Sequence, residues 1–359
     1  MTNYIKYFAG LLVLLLALLA GCSADVTKES NKEVIIYPPP PDTARIQFLA
    51  RFSNSLDITG ERSGFMEYVA GDEDQGSPII KPYGIIIYNG KIYICDTILG
   101  GLEIIDLNEK TFDYFQPKGF GTIKKPINVE VDDKGNLYVA DAGRREVVVF
   151  DKDLNYIDSF GEPSELKPTD VVFYKNKLYV ANMLNHKIEV YDADEYNHLY
   201  DLPDTNYKYE DPGFLNAPTN ICIRNDYLYV SDFGAFKIKK YNLAGELVDT
   251  VGSYGRGLGQ FVRPKGIAVD KENRLYVVDS GFENVQIFNE QGDLLMFFGG
   301  PYHGPGDMWL PAKVIIDYDN LKYFQDFVDE HFNLKYLIFV TNQYGPDKIN
   351  VYGYVEYKK

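Results

Sequence analysis

Six of the prolines in this chain open the same kind of phrase: Pro82, Pro126, Pro168, Pro218, Pro264 and Pro311. The steps between them are 44, 42, 50, 46 and 47 residues. Behind each proline runs a short stretch of apolar and β-branched residues, as from Gly266 to Asp270, which reads as a first strand. In most units a tight turn follows, such as Asn89-Gly90, then a second strand that ends in Asp or Asn. Third and fourth strands carry alternating apolar residues, as in Val285 to Phe288 and Asp293 to Phe298. A unit of this size cannot bury both of its faces alone, and a period near 45 residues built from strands marks a radial array of four-stranded blades. The expectation is an all-β chain folded as a six-bladed β-propeller over residues 44–359.

Proline suits the start of a blade because it fixes φ and needs no ladder partner there. The short polar residue after each second strand recurs as Asp96, Asp141, Asn182, Asp232, Asp279 and Asn342. Such a residue accepts backbone N–H groups at a turn, so the set reads as structural rather than catalytic. Arg45 to Phe52 has the pattern of a fourth strand with no first strand before it, whereas Lys348 to Tyr352 supplies third-strand material at the other end. The N-terminal strand is therefore expected to complete the sixth blade and remove an exposed edge. Two insertions break the period. Glu195–Gly213 is rich in Tyr and Asp. Asn320–Phe332 places Leu321, Phe324, Phe327, Val328 and Phe332 at helical spacing and predicts a short helical insertion. A smaller helix is expected over residues 62–70.

The fifth unit carries Gly252, Gly255, Gly257, Gly259, Phe261, Pro264 and Gly266, then Leu275 to Asp279, and Gly304 to Pro311 of the sixth keeps the same register. In these residues the chain resembles the NHL-repeat propellers over about residues 44–352. Its opening from Pro40 to Leu49 also looks like the start of bacterial NHL-repeat lipoproteins.

The first 21 residues read as a lipoprotein signal peptide: Lys6 gives a positive start, and Phe8 to Ala20 is almost wholly apolar but too short to span a bilayer comfortably. Leu19-Ala20-Gly21-Cys22 resembles a bacterial lipobox, which implies cleavage before Cys22 and its lipidation on the sulfur and the new amino group. Several acyl chains anchor a protein to a bilayer far better than one. Ser23, where an Asp would favour inner-membrane retention in Gram-negative lipoproteins, points to the outer membrane. Residues 22–43 read as a tether, with Pro38 to Pro41 as a stiff extended spacer.

Formal net charge is −16, one unit more negative once Lys6 leaves, which argues against nucleic acid as a partner. Cys95 and Cys222 fall in opposite blades, too far apart for a disulfide, and read as buried thiols. No nucleophile motif, phosphate loop or His-rich metal motif is present; His186, His198, His303 and His331 fall in turns or insertions. Two residues behind the opening prolines stand Gly84, Asn128, Asp170, Asn220, Gly266 and Lys313. Three adjacent units thus place Asn128, Asp170 and Asn220 at equivalent positions near the entrance of the central channel. They resemble the Asn and Asp that six-bladed lactonases of the paraoxonase and gluconolactonase type place around a channel calcium. Lys313 opposes a cation there, and polar residues hydrating the channel are the alternative reading.

Three function readings follow. The first is a monomeric, membrane-anchored scaffold that needs no cofactor and binds another envelope protein. The second is a calcium-dependent lactonase- or lyase-like hydrolase at the channel mouth, and the third a binder of carbohydrate or cell wall.

Overall fold

Alternating apolar and polar residues with a two-residue period commit each segment between turns to a strand, and the 45-residue period wraps those strands into a ring. The computed structural model describes residues 34–59, 76–203 and 207–358. It is a six-bladed β-propeller. Blade one contains β3 (Pro82–Tyr88), β4 (Lys91–Asp96), β5 (Gly101–Asp106) and β6 (Thr111–Phe115). Blade two contains β7 (Pro126–Val131), β8 (Leu137–Asp141), β9 (Glu146–Phe150) and β10 (Tyr156–Phe160). Blade three contains β11 (Pro168–Tyr174), β12 (Lys177–Asn182), β13 (Lys187–Asp192) and β14 (His198–Leu202). Blade four contains β15 (Pro218–Arg224), β16 (Tyr227–Asp232), β17 (Lys237–Asn242) and β18 (Leu247–Val251). Blade five contains β19 (Pro264–Val269), β20 (Leu275–Asp279), β21 (Asn284–Phe288) and β22 (Leu294–Gly299).

The sixth blade is assembled from both ends of the chain. Its strands are β23 (Pro311–Asp317), β24 (Phe332–Asn342) and β25 (Ile349–Tyr357), then β2 (Ile46–Phe52) and β1 (Ile36–Tyr37). The predicted closure by residues 45–52 is present: Ile46 pairs with Tyr354 and Phe52 with Ile349. The blade has one more strand than expected. Ile36 and Tyr37, read from sequence as tether, pair with Gln47 and Ile46. Pro38 to Pro41 are therefore the turn between β1 and β2, not an extended spacer, because Arg45 N–H donates to the Tyr37 carbonyl and folds the segment back (2.8 Å).

Six apolar clusters fill the spaces between neighbouring blades, and the cluster holding Phe52, Ile85, Ile94, Phe339 and Val351 joins the sixth blade to the first. The core is therefore a ring of interblade layers, closed on itself. The Asn320–Phe332 insertion is helical only as two 3₁₀ turns, Leu321–Tyr323 and Gln325–Phe327. Asp317 accepts the backbone N–H of Asn320 (2.9 Å), Phe324 is buried against Phe52 and Phe339, and Phe332 is drawn into β24 by pairing with Tyr357. The Asp317 hydrogen bond and two apolar anchors, Phe324 and Phe332, leave no run long enough for an α-helix. Residues 62–70, together with Cys22, Ser23 and the signal segment, lie outside the described residues.

Each recurrent Asp or Asn ties the loop entering a blade to that blade's second strand. Asp141 accepts from the backbone N–H groups of Lys124 (2.6 Å), Lys125 (2.9 Å), Gly143 (2.8 Å) and Arg144 (3.0 Å). Asp96, Asn182, Asp232, Asp279 and Asn342 repeat the arrangement in the other blades. These clamps fix the loops of one face of the ring, called the upper face below, around the mouth of the central channel.

Candidate functional site

The inner strands deliver one residue per blade to each level of the channel. At the level two residues behind the prolines, Gly84 and Gly266 let the next strand pass close by. A Cβ on Gly84 would lie 2.5 Å from Asn128 Cα, and one on Gly266 would lie 2.5 Å from Lys313 Cα. Asn128, Asp170 and Asn220 are each fully buried or nearly so. Asn128 Nδ2 donates to the Thr169 carbonyl of blade three (2.7 Å). Asp170 Oδ2 accepts from Ile221 N–H of blade four (2.9 Å) and stands 3.4 Å from Asn220 Nδ2, while Oδ1 accepts Val171 N–H (3.0 Å). The predicted trio is thus brought together at one level, where it stitches blades two, three and four.

The fourth member decides the chemistry. Lys313 Nζ, from blade six, lies 2.7 Å from Asp170 Oδ2, from the opposite blade three, and both side chains are buried. This ion pair spans the channel. Calcium takes six to eight oxygen ligands and needs charge from several carboxylates. Here the only carboxylate of the level already receives an ammonium and backbone donors, and no group of three or more His, Cys, Asp or Glu able to hold a metal occurs among the described residues. The side-chain oxygens Asn128 Oδ1 and Asn220 Oδ1 are buried without a hydrogen-bond partner. Two amide oxygens are too few to replace the missing ligands, so the trio does not fit a calcium ion.

Three further channel residues escape the sequence reading. One residue behind the prolines of blades one and five stand Tyr83 and Lys265, and the Lys265 ammonium lies 5.0 Å from the centre of the Tyr83 ring. Burial, with the charges of Arg263 and Lys81 added, pushes the Lys265 amine down to about 8. Burial and the nearby negative charge of Asp170 hold the Tyr83 phenol above its usual range. On the other side of the ion pair is Glu130, whose position in the other blades is taken by Ile86, Val172, Cys222, Ala268 and Ile315. Burial pushes its carboxyl up to about 8, against the Val131 N–H bond (3.0 Å) and the charge of Lys313. A comparison of equivalent positions, one and four residues behind each proline, would have singled out Lys265 and Glu130. Cys95 and Cys222 are free thiols that burial pushes up, Cys222 to about 12, so neither is an activated nucleophile.

The upper face around the mouth is both basic and apolar. Lys81, Lys125, Lys167 and Arg263 directly precede four of the six prolines. Loops of the same face expose Phe120 (84%), Leu258 (76%), Tyr254, Trp309, Tyr344 and Ile98. Tyr302 stacks on Trp309, and Tyr254 packs on Phe236.

No protein-family model and no curated protein sequence matches the chain. Solved structures do. A protein of unknown function from Bacteroides thetaiotaomicron superposes with a TM-score of 0.57 at 17% identity, over 87% of this chain and 76% of that one. A gluconolactonase from Xanthomonas campestris gives 0.56 at 14% identity, covering 88% and 91%. A virginiamycin B lyase from Staphylococcus aureus gives 0.52 at 14% identity, covering 76% and 94%. At these identities the likeness shows the fold alone.

Proposed function

We propose that this chain is a lipid-anchored, non-enzymatic propeller of the bacterial cell envelope that binds a protein partner through its upper face. The observation that carries the reading is the array of exposed apolar side chains on that face. Phe120, Tyr254, Leu258 and Trp309 sit on three blade-entry loops, between β6 and β7, β18 and β19, and β22 and β23, around a mouth that lies above the Asp170–Lys313 pair. Rigid rings that present exposed apolar loops commonly use them for association. The lipobox-like Leu19 to Cys22 and Ser23 support anchoring at Cys22, at the outer membrane where the envelope has one. The acidic composition supports a protein rather than nucleic acid as partner.

Capture from detergent-solubilised envelope is the test. The full chain is expected to recover a specific partner, and a Phe120→Ser, Leu258→Ser, Trp309→Ser variant is expected to lose it while keeping its melting temperature. A variant that captures the same set of proteins as the parent overturns the reading. Cys22→Ala is expected to move the protein from the membrane to the soluble fraction.

The second reading, a lactonase- or lyase-like hydrolase, is favoured by the named enzymes among the solved propellers. It requires calcium or another electrophile at Asn128, Asp170 and Asn220. Melting that is unchanged by added calcium or by chelator, and absence of lactone hydrolysis, are the outcomes expected here.

A further inference from the structure

We infer that the upper mouth of the channel is a binding site for a compact monocarboxylate, held by Lys265 with Arg263, Lys81 and Tyr83. The inference does not rest on the protein-partner reading and concerns a different ligand.

Three lysines are buried among the described residues: Lys239, Lys265 and Lys313. Two have a carboxylate within ion-pair distance. Lys239 Nζ lies 2.9 Å from Asp232 Oδ2, and Lys313 Nζ lies 2.7 Å from Asp170 Oδ2. Lys265 is 8% exposed and, among the described residues, has neither a hydrogen-bond acceptor nor an ion-pair partner. Its one neighbour of opposite polarity is the face of the Tyr83 ring at 5.0 Å. A ring face attracts an ammonium but accepts none of its three N–H donors fully. A desolvated cation without an anion is costly, and proteins that retain one commonly use it.

The geometry shows why the amine reaches this place. Lys265 and Tyr83 belong to blades five and one, and the intervening blade six has the small Ala312 at the same level. The amine therefore passes over Ala312 to the first blade. Arg263, two residues before it, and Lys81, two residues before Tyr83, add positive charge at the rim, to the burial that chiefly pushes the Lys265 amine down. The Lys81 ammonium donates to the Tyr344 hydroxyl (3.0 Å), which keeps it at the mouth. Three cations thus converge on one opening of a chain whose net charge is −16.

The ligand class follows from the surroundings. A planar guanidinium presents a fork that matches the two oxygens of a carboxylate, and an ammonium adds a point charge. Beneath the mouth the Asp170–Lys313 pair contributes no net charge, and Glu130 lies beyond it, so a second negative charge on the ligand gains little. The Tyr83 ring offers an apolar surface to the remainder of a small organic acid.

Acetate and benzoate, added against chloride at matched ionic strength to the purified full chain in detergent, are the probes, with inorganic phosphate as comparison. Each carboxylate is expected to give a saturable rise in melting temperature. Lys265→Met removes a charge-assisted contact and is expected to weaken binding about 10- to 100-fold. Without carboxylate it is expected to fold and to melt at or above the parent, because it removes an unpaired buried cation. Arg263→Gln, on an exposed side chain, is expected to weaken binding about tenfold with the parent's melting temperature. This variant decides the matter should Lys265→Met fail to fold. Three results each overturn the site: no saturable response to either carboxylate, an undiminished response in the variants, or tighter binding of phosphate than of the carboxylates.

Discussion

Lys313 of blade six and Asp170 of blade three meet across the axis of the ring, Nζ to Oδ2, at 2.7 Å. The contact joins the two blades that stand opposite one another, which the interblade layers do not bring together. It matches the buried Asp170 carboxylate with a positive charge from within the chain.

Removing one partner of this pair leaves the other charged, buried and unmatched. Asp170→Asn and Lys313→Met are each expected to cost about 3–5 kcal/mol, whereas the double variant that combines them is expected to lie within about 2 kcal/mol of the parent. Urea unfolding of the four proteins measures the coupling. Additive losses would mean that the pair is not formed in solution.

Glu103 gives the chain a pH dependence of defined sign. It is fully buried beside Asp96, and burial, then the Asp96 charge, push its carboxyl up to about 9, with Ile80 N–H as a bonded donor (3.2 Å). The folded state holds this proton over the interval from about 4.5 to about 9, where the unfolded chain has released it. Stability from this group therefore falls as pH rises through that window. Glu103→Gln is expected to flatten the fall and to stabilise by about 1–3 kcal/mol at pH 8. Melting temperatures of both proteins between pH 5 and 9, roughly spanning the window, check it.

Asp141 accepts four backbone N–H groups, two from the loop entering its blade and two from the turn behind it. Asp141→Ala leaves those donors without their acceptor and is expected to cost about 2–4 kcal/mol. Asp141→Asn keeps an acceptor, as Asn182 and Asn342 do in their own blades, and is expected to recover at least half of the loss. Thermal unfolding of the two variants separates the clamp from a simple charge effect.

Ile46 is fully buried where the N-terminal strand closes the ring, in one cluster with Phe298, Tyr336 and Tyr352. Ile46→Ala is expected to cost about 2–5 kcal/mol, the range for truncating a buried core side chain. Leu295→Ala, on an exposed outer-strand position, is expected to stay within about 0.5 kcal/mol. Equal effects at the two sites, read by urea unfolding, would remove β2 from the cooperative core.

The periodic prolines, the alternating strands and the recurrent Asp and Asn are local signals, and they were enough to determine six blades, the clamp residues and the closing strand at Ile46–Phe52. Helical spacing in Asn320–Phe332 is equally local, but a sum over neighbours in sequence does not register that Phe324 and Phe332 are claimed by different parts of the sixth blade. Four consecutive prolines read as a rigid rod until β2 offers β1 an edge to pair with.

By itself the sequence determined that Asn128, Asp170, Asn220 and Lys313 share a level, because equal offsets behind equal prolines land at equal heights in a ring. Only the tertiary structure decided that Lys313 reaches Asp170, and that Lys265 reaches Tyr83 and no carboxylate. Offsets along a strand fix height but not the distance across an axis. That distance depends on ring diameter, on small residues such as Ala312 between the partners, and on the side-chain length available to span it.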